Sequence, residues 1–547
     1  MKKYIFSLFA GVLLSSCANQ LEVTPPNQII DEQIKEILAS GDEEKIKLVM
    51  KALAENLPTN LISNSSVYSG GFASSIENHN VGQDILRNVR GNDIVYTDKL
   101  MSGSVGNAYN LQDFWEANLT TENYCYWLLG ATVINNANKI LGYLDEKTIG
   151  DNNTLKDYRA RCLIVRAYGY NYLMENYQDA YLLGGSEKLG LSIYDTYGYN
   201  DPVARSTSKE TYEFIKKDLN EAITLFKQAV ANDGYTDAKD DLDCGIAQFL
   251  LARVSAWTGD WATVITACDD LLKHYPDLIA KENYGVQNAV VREVEERNVD
   301  GTPVREFRAD DNAFFNITVN PECFFGFVDG TNAQTYQFAY FNTFCESSGG
   351  MGLGFMRIDE RLYNKLDNND LRKGLFMTDT LTFTYMDEKA TKATIPAYTN
   401  LKYAATIARN NSERKTGRVN TDQPVFRTSE VLLMKAEALA QQNNESAAKT
   451  VLNQLLAART KSNSTPLTCD TYSSMEGMSV LQMVQFQTRI ELWGEGGREF
   501  YNNKRWAIPV DRSNSANHVN TGSISVEHMT LEIPSQELST NPLCVQN

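Results

Sequence analysis

Hydrophobic and polar positions along this chain fall into two alternating textures. One has the 3.6-residue period of amphipathic helices and repeats. The other is rich in glycine, asparagine and aromatic residues and has no helical period. The clearest repeat runs from Asp243 to Tyr275, where Ile246, Phe249, Leu250, Val254 and Trp257 line one helical face. Gly259-Asp260 interrupts it, a glycine suited to a C-terminal cap followed by an acid suited to the next N-cap. Trp261, Val264, Ile265, Cys268, Leu271 and Leu272 make a second stripe, which Pro276 ends. The spacing predicts an antiparallel helix pair joined by a tight turn, with Ala252 and Ala256 permitting close approach. It looks like a tetratricopeptide unit.

Similar pairs recur. Thr428 to Gln442 carries Val431, Met434, Ala438 and Leu439; after Asn443-Asn444, Ala448, Val451, Leu452 and Leu455 form a second face. Leu155 to Tyr177 is expected to pair with Ser208 to Val230, which opens with a capping box from Thr207 to Glu210. Glu122 to Leu144 and Leu481 to Phe500 read as further helices. Such pairs cannot bury their faces alone, so the predicted fold is mostly α, a right-handed helical scaffold over 114–276 and 425–506. Loop-rich insertions occupy 58–110 and 282–424, with short strands expected at Phe314 to Val319 and Tyr336 to Phe344. Long loops on a rigid frame are where binding groups usually sit. Residues 29–547 are read as a single domain.

The N-terminus adds a compartment. Lys2 and Lys3 precede an apolar run from Tyr4 to Leu14, the length of a secretory signal core and too short for a membrane helix. Leu14-Ser15-Ser16-Cys17 then resembles a bacterial lipobox, so residues 1–16 read as a signal peptide and Cys17 as the lipidated residue. Residues 17–28, with Pro25-Pro26, read as a tether. Several acyl chains on Cys17 would hold a soluble body firmly on a membrane. The 51 Lys and Arg against 69 Asp and Glu leave a net charge of −18, which argues against a nucleic-acid partner. Beyond Cys17 the cysteines are Cys125, Cys162, Cys244, Cys268, Cys323, Cys345, Cys469 and Cys544, scattered and without a Cys-x-x-Cys. Cys162, Cys244 and Cys268 fall in helical segments and read as small core residues.

Catalytic signatures are absent. The histidines are His79, His274, His518 and His528, none at zinc-ligand spacing, and they read as surface residues. There is no Gly-x-Ser-x-Gly elbow and no phosphate-cradling glycine loop; Gly494-x-Gly496-Gly497 reads as a helix end and turn. A glycosidase pair needs two acids held in a cleft, and nothing nominates one. Asp240-Asp241 and Asp269-Asp270 read as solvated helix-end charge. Asp367-Asn368-Asn369-Asp370 reads as an Asn/Asp turn, with a structural calcium as the alternative. No other cofactor is expected.

Several local patterns occur together and in order. Phe114-Trp115 leads to a helix ending Asn135-Asn136-Ala137-Asn138. Ala160-Arg161 and Arg166-Ala167-Tyr168-Gly169-Tyr170 follow, then Leu251-Ala252-Arg253 with Gly259-Asp260-Trp261, then Asp370-x-Arg372. Ser429-Glu430-Val431-Leu432-Leu433-Met434 with Ala436-Glu437-Ala438 precedes Arg489-Ile490-Glu491-Leu492-Trp493-Gly494-Glu495-Gly496 and Lys504-Arg505-Trp506. Ile533-Pro534, Glu537 and Asn541-Pro542 close the chain. Taken together these resemble the SusD/RagB family of Bacteroidetes outer-membrane nutrient-binding lipoproteins across nearly the whole mature chain. Two departures are Tyr501-Asn502-Asn503 before the final Lys-Arg, and Ala18-Asn19-Gln20 where surface-exported members often carry acids.

The resemblance implies four tetratricopeptide-like pairs and no enzymatic activity. It implies a lipid-anchored protein facing the cell exterior, acting as a lid on a SusC-like TonB-dependent transporter. The cargo would be a glycan or, alternatively, a peptide; a tetratricopeptide scaffold that binds only proteins is the other reading. Sugar recognition wants aromatic faces for C–H groups and Asn, Asp or Arg for hydroxyls. The first insertion offers Tyr68, Phe72, Arg90, Asn92, Asp93 and Tyr96. The second offers Tyr336 and Tyr340, which alternate on one strand face. Trp115, Trp257, Trp261 and Trp506 fall on framework motifs and are expected in the core.

Overall fold

The computed structural model describes residues 30–61, 80–96, 104–112, 120–198, 201–285, 291–297, 303–307, 312–314, 316–327, 356–384, 392–403 and 422–547. The signal, Cys17 and tether, along with Tyr68, Phe72, Trp115, Tyr336 and Tyr340, lie outside the described residues. The principal helices are α1 (Asp31–Ala39), α2 (Glu43–Ala54), α3 (Asn80–Asn88), α4 (Ser104–Tyr109), α5 (Thr121–Leu141), α6 (Asn153–Tyr177) and α7 (Ser208–Ala229). They continue as α8 (Cys244–Thr258), α9 (Trp261–His274), α10 (Thr428–Gln441), α11 (Glu445–Ala458), α12 (Val480–Glu491) and α13 (Arg498–Arg505).

The helix pairs form as their sequences predict, and several of their ends are capped locally. Asp243 accepts the amide of Ile246 to start α8, and Gly259 ends it at a φ of +77°. Asp260 then accepts the amide of Thr263 to start α9. Thr207 and Glu210 close their capping box at the head of α7. Each helix packs on the next: α5 on α6, α6 on α7, α7 on α8, α8 on α9, α9 on α10, and α10 on both α11 and α12. The α9–α10 contact joins the array across the whole second insertion, so the helical scaffold is continuous in space although interrupted in sequence.

Helix α6 is the central member. From Cys162 to Tyr177 only Tyr168 escapes full burial, so this stretch lacks a solvent face and its polar groups must find partners inside. Arg166 binds Asp218 of α7 through Nε at 2.7 Å and Nη2 at 2.8 Å. Gly169 lets α5 lie close, since a Cβ there would meet Ile134 Cγ1 at 2.8 Å and Gly130 O at 3.1 Å.

The second insertion is fastened to this scaffold by a buried ionic cluster. Glu322 and Glu491 are fully inaccessible, as is Arg459, and Arg372 and Arg427 are 1% exposed. Arg427 Nη1 donates to Glu322 at 2.8 Å and to Glu491 at 2.7 Å. Arg372 Nη1 reaches Glu491 at 3.1 Å, and Tyr284 Oη donates to the same carboxylate at 2.8 Å. Burial alone would raise the Glu491 carboxyl; Arg459, Arg427 and Arg372 instead hold it well below the usual carboxylate range.

Several expectations are corrected. The first insertion is not uniformly irregular: it contains α3 and α4, and Ile94–Val95 pairs with Arg357–Ile358 of the second insertion. Phe314 to Val319 holds a buried turn and a 3-10 turn at Ile317–Val319, with Asn316 accepting the Thr318 amide instead of a strand partner. The helix expected over Leu481 to Phe500 breaks between α12 and α13, where Gly494, Gly496 and Gly497 all adopt positive φ. Of the tryptophans expected in the core, Trp257 is buried but Trp261 and Trp506 are half-buried. The Trp506 indole Nε1 donates to the buried Glu437 carboxylate at 2.7 Å. Among the described tryptophans the most enclosed indole is Trp493, whose Nε1 donates to the Asp93 carbonyl at 2.9 Å. Cys162, Cys244 and Cys268 are buried free thiols, as their positions suggest.

Candidate ligand-binding site

Arg90, Asn92, Asp93 and Tyr96 are brought together, but in the interior. All four are at most 7% exposed, which corrects the expectation that they face a ligand. Asn92 uses every polar group: its amide N–H donates to Glu499, Nδ2 to the Pro509 carbonyl at 3.1 Å, Oδ1 accepts the Asp511 amide at 2.7 Å, and its carbonyl meets His518 Nε2 at 2.9 Å. Asp93 is gripped by Arg489, with Nε at 2.8 Å from Oδ2. The Arg90 guanidinium lies over the Tyr126 ring at 4.6 Å, and the Tyr96 ring meets Tyr109 edge-on. A Cβ at Gly91 would overlap the Glu499 carboxylate, so this glycine is required for close approach. The cluster is a seam that joins the first insertion to segment 489–518.

His518 belongs to the same seam, a correction to the surface reading. Its side chain is inaccessible, Nδ1 lies 2.7 Å from the Tyr109 hydroxyl, and Nε2 faces the Asn92 carbonyl. A carbonyl can only accept, so the proton sits on Nε2 and Nδ1 accepts from Tyr109. Burial and the nearby Arg512 push the imidazole down to about 4. His274 is also partly buried, stacked on Tyr235. The Asp367 to Asp370 segment is a turn: Asp367 accepts the amides of Asn369 and Ser473, and Asp370 holds Arg372 and the Tyr472 hydroxyl. Among the described residues no group of three or more His, Cys, Asp or Glu is placed to hold a metal.

A cavity of about 70 Å³ lies between α6, α8, the start of α10 and the Glu495–Arg498 turn. Leu61, Tyr403 and Asp422, which border segments 62–79 and 404–421, also line it. That volume holds a few waters. Its walls are charged and paired. Arg253 binds Glu430 in a fork, Nε and Nη2 each 2.7 Å from one oxygen. Glu175 accepts Arg87 at 2.6 Å and Arg498 at 3.0 and 2.9 Å. Burial would raise Glu175, but the Arg498 and Arg87 guanidiniums pull it down to about 2. Glu495 is likewise lowered, by Arg427 and Lys402 against the effect of burial. Glu175 and Glu495 are therefore ionised and occupied at neutral pH, which suits a rigid support better than proton transfer. Sequence reasoning missed Glu175; the signal was a carboxylate inside a helix too apolar to have a solvent face.

Two family descriptions match this chain. "Starch-binding associating with outer membrane" matches residues 72–239, and "SusD family" matches residues 379–547. The chain belongs to the SusD/RagB family. The SusD-like fold is shared with solved structures. A putative sugar binding protein from Bacteroides vulgatus ATCC 8482 is 21% identical, covering 91% of this chain and 97% of that one, with a TM-score of 0.64. A SusD superfamily protein from Bacteroides thetaiotaomicron VPI-5482 is 19% identical over 91% and 99%, with a TM-score of 0.65. Surface glycan-binding protein A from Bacteroides fluxus is 15% identical over 92% and 99%, with a TM-score of 0.61. No curated protein matches. Among the described residues no helix is long and apolar enough to cross a membrane.

Proposed function

We propose that this SusD-like protein is a lipid-anchored, outward-facing glycan-binding protein that passes an oligosaccharide to a SusC-like TonB-dependent transporter. Membership of a family described as starch-binding and outer-membrane-associated carries the reading. The framework supports it physically. A continuous helical array braces both insertions, with the buried ionic cluster beneath the second and the Asn92–Asp93 seam beneath the first, as loop-borne binding groups require. Tyr68, Phe72, Tyr336 and Tyr340 are the proposed sugar contacts, with Arg90, Asn92, Asp93 and Tyr96 fixing the base of the first insertion. The role is binding without catalysis. Cys17 is the proposed lipid attachment, with no metal or cofactor needed.

Anchoring and orientation are tested together. Labelled palmitate should enter the wild-type protein and not Cys17→Ala, and protease should degrade the protein on intact cells. Palmitate labelling with protection from protease would leave the anchor but contradict the outward orientation.

A further inference from the structure

A second concavity, outside the cavity and seam described above, lies along the outer side of α5. It encloses about 380 Å³, within the range of small-ligand sites. The loop from Leu191 to Gly198 and Glu537 of the C-terminal segment also line it. Leu128, Ile134 and Leu173 contribute apolar surface. Trp127 is half-buried, and its orientation is fixed twice: Nε1 donates to Glu537 Oε2 at 3.2 Å, and Tyr177 packs edge-on at 4.9 Å.

We propose that the groove beside Trp127 is a second carbohydrate site that takes one neutral sugar ring of a bound glycan. This rests on the glycan-capture reading above. A pyranose presents C–H groups on its faces and hydroxyls round its edge, which needs an apolar floor with hydrogen-bonding groups distributed around it. The groove supplies both kinds of group, with Thr132, Asn135, Ser192 and Thr196 among its lining beside the indole and the aliphatic side chains. Charge selects among sugars. The lining includes the Glu537 carboxylate and no lysine or arginine. Hydroxyl donors complement that carboxylate, whereas a uronic acid or sulfated sugar is repelled by it. A lysine side chain would need the carboxylate alone and would leave the neutral polar groups of the lining unused.

The test follows the indole itself. The protein has six tryptophans; with 5-fluorotryptophan incorporated, Trp127→Phe identifies the Trp127 fluorine resonance. The intact protein is then titrated with maltooligosaccharides, mannan and galactan fragments, oligogalacturonate and a lysine-rich peptide, with calorimetry in parallel. The expected result is a saturable shift of the Trp127 resonance with a neutral glycan and none with oligogalacturonate. Asn135→Ala, an exposed position on α5, should weaken that shift's midpoint roughly five-fold, as for one lost hydrogen bond. Glycan heat with an unmoved Trp127 resonance overturns the second site and leaves glycan capture standing. Absence of both heat and shift with every glycan overturns both, and a shift with the peptide alone assigns the groove to protein contact instead.

Discussion

Arg459 and Glu491 meet with no solvent between them: both are inaccessible, and Nη2 lies 2.9 Å from Oε1 while Nε lies 3.1 Å from Oε2. Glu491 also serves Arg372 and Arg427, so one carboxylate touches three guanidiniums drawn from the second insertion and the scaffold, with Glu322, Asp370 and Glu495 supplying the remaining negative charge. Removing one charge from such a cluster leaves the others buried and uncompensated. Glu491→Gln is therefore expected to lower stability by about 3–5 kcal/mol. Denaturant unfolding measures it, and a loss below about 1 kcal/mol would mean that the cluster does not fasten the fold.

Acid should loosen the wall of the cavity through Glu175. Its carboxyl lies at about 2 in the folded protein against 4.5 ordinarily. A depressed acid contributes its full stabilisation above its unfolded value and loses it as pH falls toward the folded one. The contribution, on the order of 3 kcal/mol, should be complete above pH 4.5 and disappear between 4.5 and 2. Glu175→Gln should be less stable at pH 7 and show a flatter stability profile across that window. An unchanged profile would place the Glu175 carboxyl in solvent.

His518 should act in an adjoining window. Its imidazole is neutral in the fold down to about 4, against 6.5 ordinarily, so below 6.5 the unfolded chain binds a proton that the folded chain refuses. Stability should decline as pH falls from 6.5 to 4. Nitrogen NMR of labelled histidine should show one ring protonated only at Nε2 at pH 5.5. A doubly protonated ring at that pH would contradict the Tyr109–His518–Asn92 arrangement.

Seam and sugar contacts should separate under mutation. Asp93→Ala leaves the Arg489 guanidinium without its carboxylate and should cost stability by several kcal/mol, about 3–5, while glycan affinity at a temperature where the variant is folded stays unchanged. Tyr340→Ala should do the reverse, weakening glycan binding with unfolding unaffected. Thermal melts and calorimetry on the two variants decide it, and a loss of affinity in Asp93→Ala with normal stability would return the seam to the ligand surface.

The helical frame was legible because its signals are local. Asp243, Gly259, Asp260 and Thr207 each fix a helix boundary through their own caps, and the apolar stripes between them have one period. The α9–α10 packing could also be anticipated, since both helices needed a partner. What sequence could not show is which polar residues of the first insertion turn inward. Arg90, Asn92 and Asp93 cluster round a glycine in an aromatic-rich stretch, a composition that fits a sugar site and a buried seam equally. The difference is set by Glu499, Arg489 and His518, some 400 positions away in the chain. His518 was misread for the same reason: the surrounding tail is polar, and the distant Tyr109 and Asn92 make the pocket. Trp127 gave no signal of its own, because its groove depends on Glu537 at the far end of the chain.

The most direct measurement is calorimetric titration of the purified protein with a panel of host, plant and microbial glycans, with peptides as a parallel series. Saturable heat is expected with one glycan class, weakened in Tyr340→Ala and preserved in Asp93→Ala. Heat with peptides and none with any glycan would contradict it, and would make peptide the cargo of the same framework.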